Sequence, residues 1–315
     1  MNHPSKSPLH CILCNGPLDS SVAYVFDTRF GIGGDYSIGL CGRCHAEQTM
    51  PVPSFAELTR MYETYYNFSG EQDTLYTRLR EWFLLSAIYR LWLFIDGDIS
   101  FHAKKGTGKL LDIGCNEGRG MVLYARGGYT PEGLEVNEEA AAVARSKGFT
   151  VAVGPIEELQ PRDKYDVAVL TNVVEHSLDP KTMLSHIHRV LKPGGQLWVS
   201  CPNRRSWLRT LFGRFWINWH VPFHIMHFSR ASLQKLLMDA GFTVTEVRQV
   251  TPSLWIAQSI ISRLFANEGR PVKQLRNPLM IIPLMVITRF LLFPLLWLGN
   301  RFDRGDCLVV TAGKR

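Results

Sequence analysis

The spacing of apolar positions divides the chain into stretches of different texture. Between 55 and 66, and again between 74 and 95, apolar side chains recur at helical spacing, with Leu79, Trp82, Phe83, Ala87 and Leu91 carrying the second period. After Lys104-Lys105-Gly106, short strand-like runs begin to alternate with helical periods. The runs 109–114, 130–136, 149–153, 165–170, 196–201, 243–250 and 306–311 read as strands. Helical periods fill 119–126, 138–147, 181–191 and 229–240; Pro193-Gly194-Gly195 stops the third and Gly241 closes the fourth. Strands that alternate with helices predict a doubly wound, Rossmann-like α/β sheet of seven strands.

One stretch breaks the alternation. Residues 279–298 hold 16 apolar side chains in 20, interrupted by Pro283, Thr288, Arg289 and Pro294. That is nearly enough to span a bilayer. The strands at 243–250 and 306–311 belong to one sheet, however, so both ends of the segment return to the same side. Arg289 and two prolines also suit a straight lipid-exposed helix poorly. With the apolar run 255–265, the segment reads as a helical hairpin dipping into one leaflet. Six basic side chains, Arg263, Arg270, Lys273, Arg276, Arg289 and Arg301, stand against Glu268 and Asp303 there, the balance that anionic lipid favours. A dimer interface or a cap over the acceptor site is the alternative.

The N-terminal residues differ again. Cys11-Ile-Leu-Cys14 and Cys41-Gly-Arg-Cys44 are two C-x2-C knuckles separated by 26 residues. Each brings two thiolates to one metal through a tight turn, and two knuckles complete a closed tetrahedral site. The spacing predicts a structural zinc ribbon bound by Cys11, Cys14, Cys41 and Cys44. His10 and His45 adjoin the knuckles as substitute ligands. No apolar core follows the first residues, so no secretory signal is expected, and the seven cysteines are read as reduced thiols of a cytoplasmic protein. The expected organisation is a zinc module over 1–50, a helical linker over 51–104, the sheet domain over 105–251 with 303–315, and the apolar insertion over 252–302.

Composition narrows the class. Hydrophobic residues make up 46% and charged residues 20%, which excludes disorder and a polytopic membrane protein. A net charge of +7 points to an anionic partner without choosing among nucleotide, lipid and RNA. Residues 1–50 carry Lys6, Arg29 and Arg43 against Asp19, Asp27, Asp35 and Glu47. A finger that grips phosphate is basic, so this module reads as a scaffold and nucleic acid is not the expected partner. Arg204, Arg205, Arg209 and Arg214 form a cationic run that suits phosphate.

The cofactor signal lies at the first strand of the sheet. Asp112-Ile-Gly114-Cys115-Asn116-Glu-Gly118-Arg-Gly120 leaves a strand and opens a helix. Glycines let backbone approach a ligand, and the helix start offers unpaired N–H groups. Glu135 ends the next strand, 21 residues after Gly114, where a carboxylate accepts ribose hydroxyls. The turn alone suits NAD equally. With the runs Tyr165-Asp166-Val-Ala-Val-Leu-Thr-Asn-Val-Val-Glu175-His176-Ser-Leu-Asp179-Pro180 and Leu191-Lys-Pro-Gly-Gly-Gln-Leu-Trp-Val-Ser-Cys-Pro202-Asn203, the chain resembles class I S-adenosylmethionine-dependent methyltransferases over roughly 105–250. The run Phe223-His224-Ile-Met-His227-Phe228-Ser229 is similar to the branch of that family with N-terminal zinc knuckles.

The resemblance implies S-adenosylmethionine as cofactor, with Asp112, Gly114, Cys115, Asn116 and Gly118 around its methionine part. Glu135 would hold the ribose, Val136 and Ile156 would line the adenine, and Thr171 and Asn172 would sit near the sulfonium. The chain departs from the family's pattern at Asn116, where glycine is usual, at Pro155 and at Phe223. Methyl transfer needs positioning above all; a base, where the acceptor must lose a proton, is a histidine. His176, His220 and His224 fall at the carboxyl end of the sheet and are the candidate bases. The branch it resembles implies a glycan, nucleotide-sugar or lipid-linked saccharide as acceptor, met at the inner face of a membrane. The rivals are an RNA methyltransferase and a non-catalytic membrane scaffold.

Overall fold

The computed structural model describes residues 10–65, 75–160 and 163–315. Its strands are β1 (Leu18–Val25), β2 (Tyr36–Cys41), β3 (Glu47–Met50), β4 (Lys109–Ile113), β5 (Thr130–Glu135), β6 (Thr150–Val153), β7 (Tyr165–Thr171), β8 (Leu191–Pro202), β9 (Met226–His227), β10 (Phe242–Val250) and β11 (Cys307–Lys314). The seven expected strands form one sheet in the order β10-β11-β8-β7-β4-β5-β6. The pairs from β8 to β6 are parallel, while β11 runs antiparallel to both β8 and β10.

Both faces of the sheet are covered, as the continuous buried runs along its strands require. Leu111, Ile113, Ala168, Leu170, Leu197, Val199, Leu308 and Val310 share one buried cluster with Leu184, Ile187, Leu233 and Leu237 of the helices Pro180–Val190 and Arg230–Asp239. The intervening Leu110, Val167, Val169, Trp198 and Val309 point to the other cluster, with Phe101, Tyr124 and Trp255. Helix starts are fixed locally: Asn137 accepts the N–H of Ala140, and Asp179, followed by Pro180, accepts that of Thr182. Pro193-Gly194-Gly195, expected to stop the helix 181–191, bulges within β8 instead: the helix ends at Val190, and β7 pairing jumps from Leu191 to Gln196.

The helix expected over 74–95 is two, Leu75–Leu85 and Ala87–Asp96. Ser86 divides them: its hydroxyl donates back to the Phe83 carbonyl and accepts the N–H of Tyr89, so it caps a new helix instead of continuing the old one.

β1, β2 and β3 form a second, antiparallel sheet whose fourth strand is β9, taken from the main domain. Between β10 and β11 lie the helices Ser253–Phe265, Pro278–Leu291 and Phe293–Arg301. The first is not an arm of a lipid-facing hairpin: Trp255, Ile256, Ala257, Ser259 and Ile261 are buried, and the Ser259 hydroxyl accepts the Ile217 N–H. The other two keep large apolar side chains exposed, among them Leu279, Phe290, Leu291 and Trp297. Among the described residues no single helix is long and apolar enough to cross a membrane; Pro278–Leu291 and Phe293–Arg301 reach that length only as a pair bent by 72°.

Candidate active site

The carboxyl ends of β4, β5 and β7 form the edge where ligands bind in open parallel sheets. β4 leads into Gly114 (φ +71°), Asn116 (φ +52°) and Gly118 (φ +74°), three left-handed residues that open the helix Arg119–Arg126. Asparagine at 116 fits this conformation because its short amide tolerates the left-handed region better than other side chains. Its own Oδ1 accepts the N–H of Glu117. A Cβ at Gly114 would lie 2.8 Å from Val173 Cγ2, and one at Gly118 would lie 2.9 Å from Ala144 Cβ.

Glu135, at the end of β5, ties the two strand ends together. Its Oε2 accepts the Asn116 N–H at 2.8 Å, and its Oε1 accepts those of Val136 and Asn137 at 2.9 and 3.0 Å. Three of the roughly four acceptor positions of a carboxylate are thus used by backbone, which leaves room for one ribose hydroxyl without rearrangement. Asp112, buried beneath the loop, has its carboxyl pushed up to about 7, first by burial and then by the charge of Glu135. Val136 is 61% exposed, an apolar face ready for a base, whereas Ile156 is 2% exposed and packs into the core. Cys115 is buried against Met121 and Ala141. Thr171 and Asn172 end β7; the Asn172 N–H is bound to Ser200 O, and its buried Oδ1 has no partner among the described residues. A bare cradle of left-handed backbone, an exposed apolar patch, a carboxylate and an orphaned amide oxygen fit S-adenosylmethionine.

Immediately after β7 the chain enters a second cluster. Glu175 is 1% exposed and His176 adjoins it. His220 and His224 arrive from the loop before β9. The His176 and His224 rings meet edge to face at 4.6 Å, and His220 meets His224 in the same way at 4.9 Å. Phe223 stacks on His220 at 5.2 Å, and Phe30, from the loop between β1 and β2, packs against both. The sequence therefore named three histidines that the fold brings together.

Several neighbours were not legible. The Tyr62 hydroxyl lies 2.9 Å from His176 Nδ1, and Asn218 O lies 2.8 Å from His224 Nδ1. Thr49, on β3, donates its hydroxyl to the His224 carbonyl and contacts His227 Nε2 at 3.0 Å. The β3–β9 pairing brings Thr49 to His227, while the helix Phe55–Tyr65 brings Tyr62 to His176. Burial pushes His176 down to about 4, assisted by the Arg29 charge, and holds His220 and His224 well below the usual imidazole range. These rings are neutral near pH 7 but weak as bases, which counts against the expected base role.

The cationic run is also reassigned. Glu47, 1% exposed, receives Arg204 at 3.2 Å and Arg209 at 2.8 and 3.0 Å. Arg209 lies over Trp219, and Arg214 over Phe26 and Phe215. These arginines brace the N-terminal sheet; two of them already hold their anion.

The four N-terminal thiols converge, with Cys11–Cys44 at 3.6 Å and Cys14–Cys41 at 3.3 Å. All four sulfur atoms lie within 4.8 Å of one another. The knuckles match each other: Asn15 and His45, each four residues past the first cysteine of its knuckle, are left-handed at φ +54° and +56°. Asn15 N–H bonds Cys11 O and His45 N–H bonds Cys41 O. His45 is therefore a turn residue beside the thiols. Four soft donors in this geometry fit zinc.

Comparison with known proteins agrees with this frame. A family described as a methyltransferase domain matches residues 86–247, just over half of the chain. The chain belongs to this methyltransferase family. It is 35% identical over 153 residues to a protein of Mycolicibacterium smegmatis named a probable S-adenosylmethionine-dependent methyltransferase, covering 47% of this chain and 57% of that protein. It is 27% identical over 212 residues to a ubiquinone biosynthesis O-methyltransferase of a Bradyrhizobium species, covering 63% of this chain and 83% of the relative. A crystal structure of a SAM-dependent methyltransferase from Thermotoga maritima overlays with a TM-score of 0.49 at 20% identity, covering 82% of this chain and 100% of that one. The chain spans little more than half the length of most of the curated relatives it matches, as with the 57% above and 51% for a ubiquinone biosynthesis O-methyltransferase of Klebsiella pneumoniae.

Proposed function

We propose that the chain moves the methyl group of S-adenosylmethionine to a small acceptor with a polar, saccharide-type head, presented on a lipid at the membrane surface, and that its four thiolates hold a structural zinc. The observation that carries this reading is the junction at Val173, whose side chain touches the glycine loop while the next two residues, Val174 and Glu175, lead into the histidine cluster. Donor and acceptor sites thus share one edge of the sheet. Gly114, Asn116, Glu135 and Val136 would hold the cofactor, whose sulfonium makes the methyl group electrophilic. The chain's own task is then to place the acceptor in line and exclude water. Tyr62, His176, His220 and His224 offer hydrogen-bonding groups, and Phe30 and Phe223 offer flat apolar faces, the mixture that suits a sugar or hydroxylated ring.

The membrane part of the proposal is supported by exposed side chains. Leu279 is 83% exposed and Leu291 75%, and Phe94 of the helix Ala87–Asp96 is 88% exposed. Arg289 ties that helix to the bent pair, pairing with Asp96 at 3.7 Å and bonding Ile95 O. Exposed apolar patches of this kind mark lipid or protein contact. Arg263, Arg270, Lys273, Arg276 and Arg301 flank it.

Two measurements test the proposal. With radiolabelled S-adenosylmethionine, label should enter lipid-linked saccharide, and Glu135→Ala should lower cofactor affinity by about 1–3 kcal/mol in calorimetry; label entering only RNA would overturn the acceptor class. Wild-type chain should sediment with anionic vesicles and a Leu279→Asp, Leu291→Asp variant should not. Equal sedimentation of both removes the lipid contact.

A further inference from the structure

Glu175 is the least comfortable side chain in the described part of the molecule. Its carboxyl is 1% exposed, and neither oxygen has a hydrogen-bond partner among the described residues. A carboxylate stripped of water in this way costs several kcal/mol unless a proton or a cation answers it. The groups that face it are imidazoles. His224 Nε2 lies 3.9 Å from Glu175 Oε1, and one donor atom from each of Glu175, His176 and His224 falls within 4.8 Å of the others.

The His224 imidazole is turned to offer a lone pair inward. Asn218 O, 2.8 Å from His224 Nδ1, takes that nitrogen's proton in a hydrogen bond and leaves Nε2 bare. The Tyr62 hydroxyl, 2.9 Å from His176 Nδ1, holds the second ring in place. Such outer partners are what fixes a metal-binding histidine. Two donors each about 2.1 Å from one ion stand at most about 4.2 Å apart, so the Glu175–His224 distance already suits a shared ion, and a His176 donor lies within 4.8 Å of both. Two neutral imidazoles and one carboxylate suit a divalent transition ion. Thiolates, which dominate the N-terminal cluster, are absent from this group.

We propose that Glu175, His176 and His224 form a second metal site, for one divalent transition ion, separate from the four-thiol cluster. Glu175 and His224 are buried while His176 is partly open, so the remaining coordination positions face the opening of the cluster, where an oxygen-bearing ligand enters. The nearby Arg29 charge opposes a cation, so this site is weaker than the thiol site and loses its ion first. The site stands on the cluster's own geometry and not on the choice of acceptor above.

Manganese is the probe, because this hard ion does not displace zinc from thiolates. Full-length zinc-loaded protein is titrated with Mn2+, and free ion is followed by its electron paramagnetic resonance signal. One Mn2+ should bind per chain. Glu175→Gln, which keeps the side chain's shape, and His224→Gln should each weaken binding at least about tenfold, with zinc content unchanged. Tyr62→Phe, at the outer partner, should weaken it by a smaller factor. Wild-type chain that binds no Mn2+, or variants that bind it as wild type does, would overturn the site. S-adenosylmethionine binding is measured on the same samples: a chain that holds Mn2+ but not the cofactor refutes the methyl-transfer reading and leaves the metal site standing.

Discussion

The two halves of the ligand edge are built in opposite ways. The proposed cofactor half lies between Asp112 and Val136 and is assembled from two neighbouring parallel strands and the loop and helix that join them. The proposed acceptor half draws Phe30, Thr49 and Tyr62 from before the first strand of the main sheet, Glu175 and His176 from after β7, and His220 and His224 from before β9. A site made of adjacent residues is fixed once its strand pair forms. A site made of distant ones depends on a second sheet, and therefore on the thiol cluster that anchors it.

That dependence gives the largest expected effect. Cys14→Ser together with Cys41→Ser should free β1–β3 from their anchor and release the Thr49 bonds to His224 and His227. Methyl transfer should fall by about a hundredfold or more, while calorimetric cofactor affinity stays within about twofold. A parallel collapse of cofactor affinity would mean that the two halves are not independent. Next in size is Gly114→Ala. It forces a left-handed alanine whose Cβ meets Val173 Cγ2 at 2.8 Å, and should lower cofactor affinity about tenfold, or about 1.4 kcal/mol. Thermal stability should change less than affinity does.

The third effect is a slope. In the cofactor-free chain the Asp112 carboxyl titrates near 7 instead of its ordinary 3.8. Between these values the unfolded chain has released a proton that the folded chain still holds, so this group's contribution to stability falls as pH rises through that window and is flat above it. Asp112→Asn should therefore gain on wild type in thermal unfolding from about pH 4 to about pH 7, then run parallel. Parallel curves throughout would show that Asp112 is not held protonated.

The same contrast explains what was readable in advance. Gly114, Gly118 and Glu135 announced themselves because a left-handed turn and a strand-end carboxylate leave a local trace. So did the cysteines, whose paired spacing is itself the site. Thr49 left none: a threonine in a short strand acquires its role only when β3 meets β9. The arginine run misled for the matching reason, since Glu47, which holds two of its members, lies more than 150 residues away in the chain. Ser86 is a milder case. Helical spacing continues across it, but its hydroxyl competes for the backbone and the helix divides.

β11 carries a consequence for how the protein is made. It lies between β8 and β10, and both of its edges are bonded along nearly their whole length. Those neighbours are complete by residues 202 and 250, yet neither pairs with the other. On the ribosome β8 and β10 therefore wait as open edges, with an apolar helical segment emerging behind β10, until 307–314 has been translated. This is the interval in which nascent chains most need a chaperone or a membrane surface to cover them.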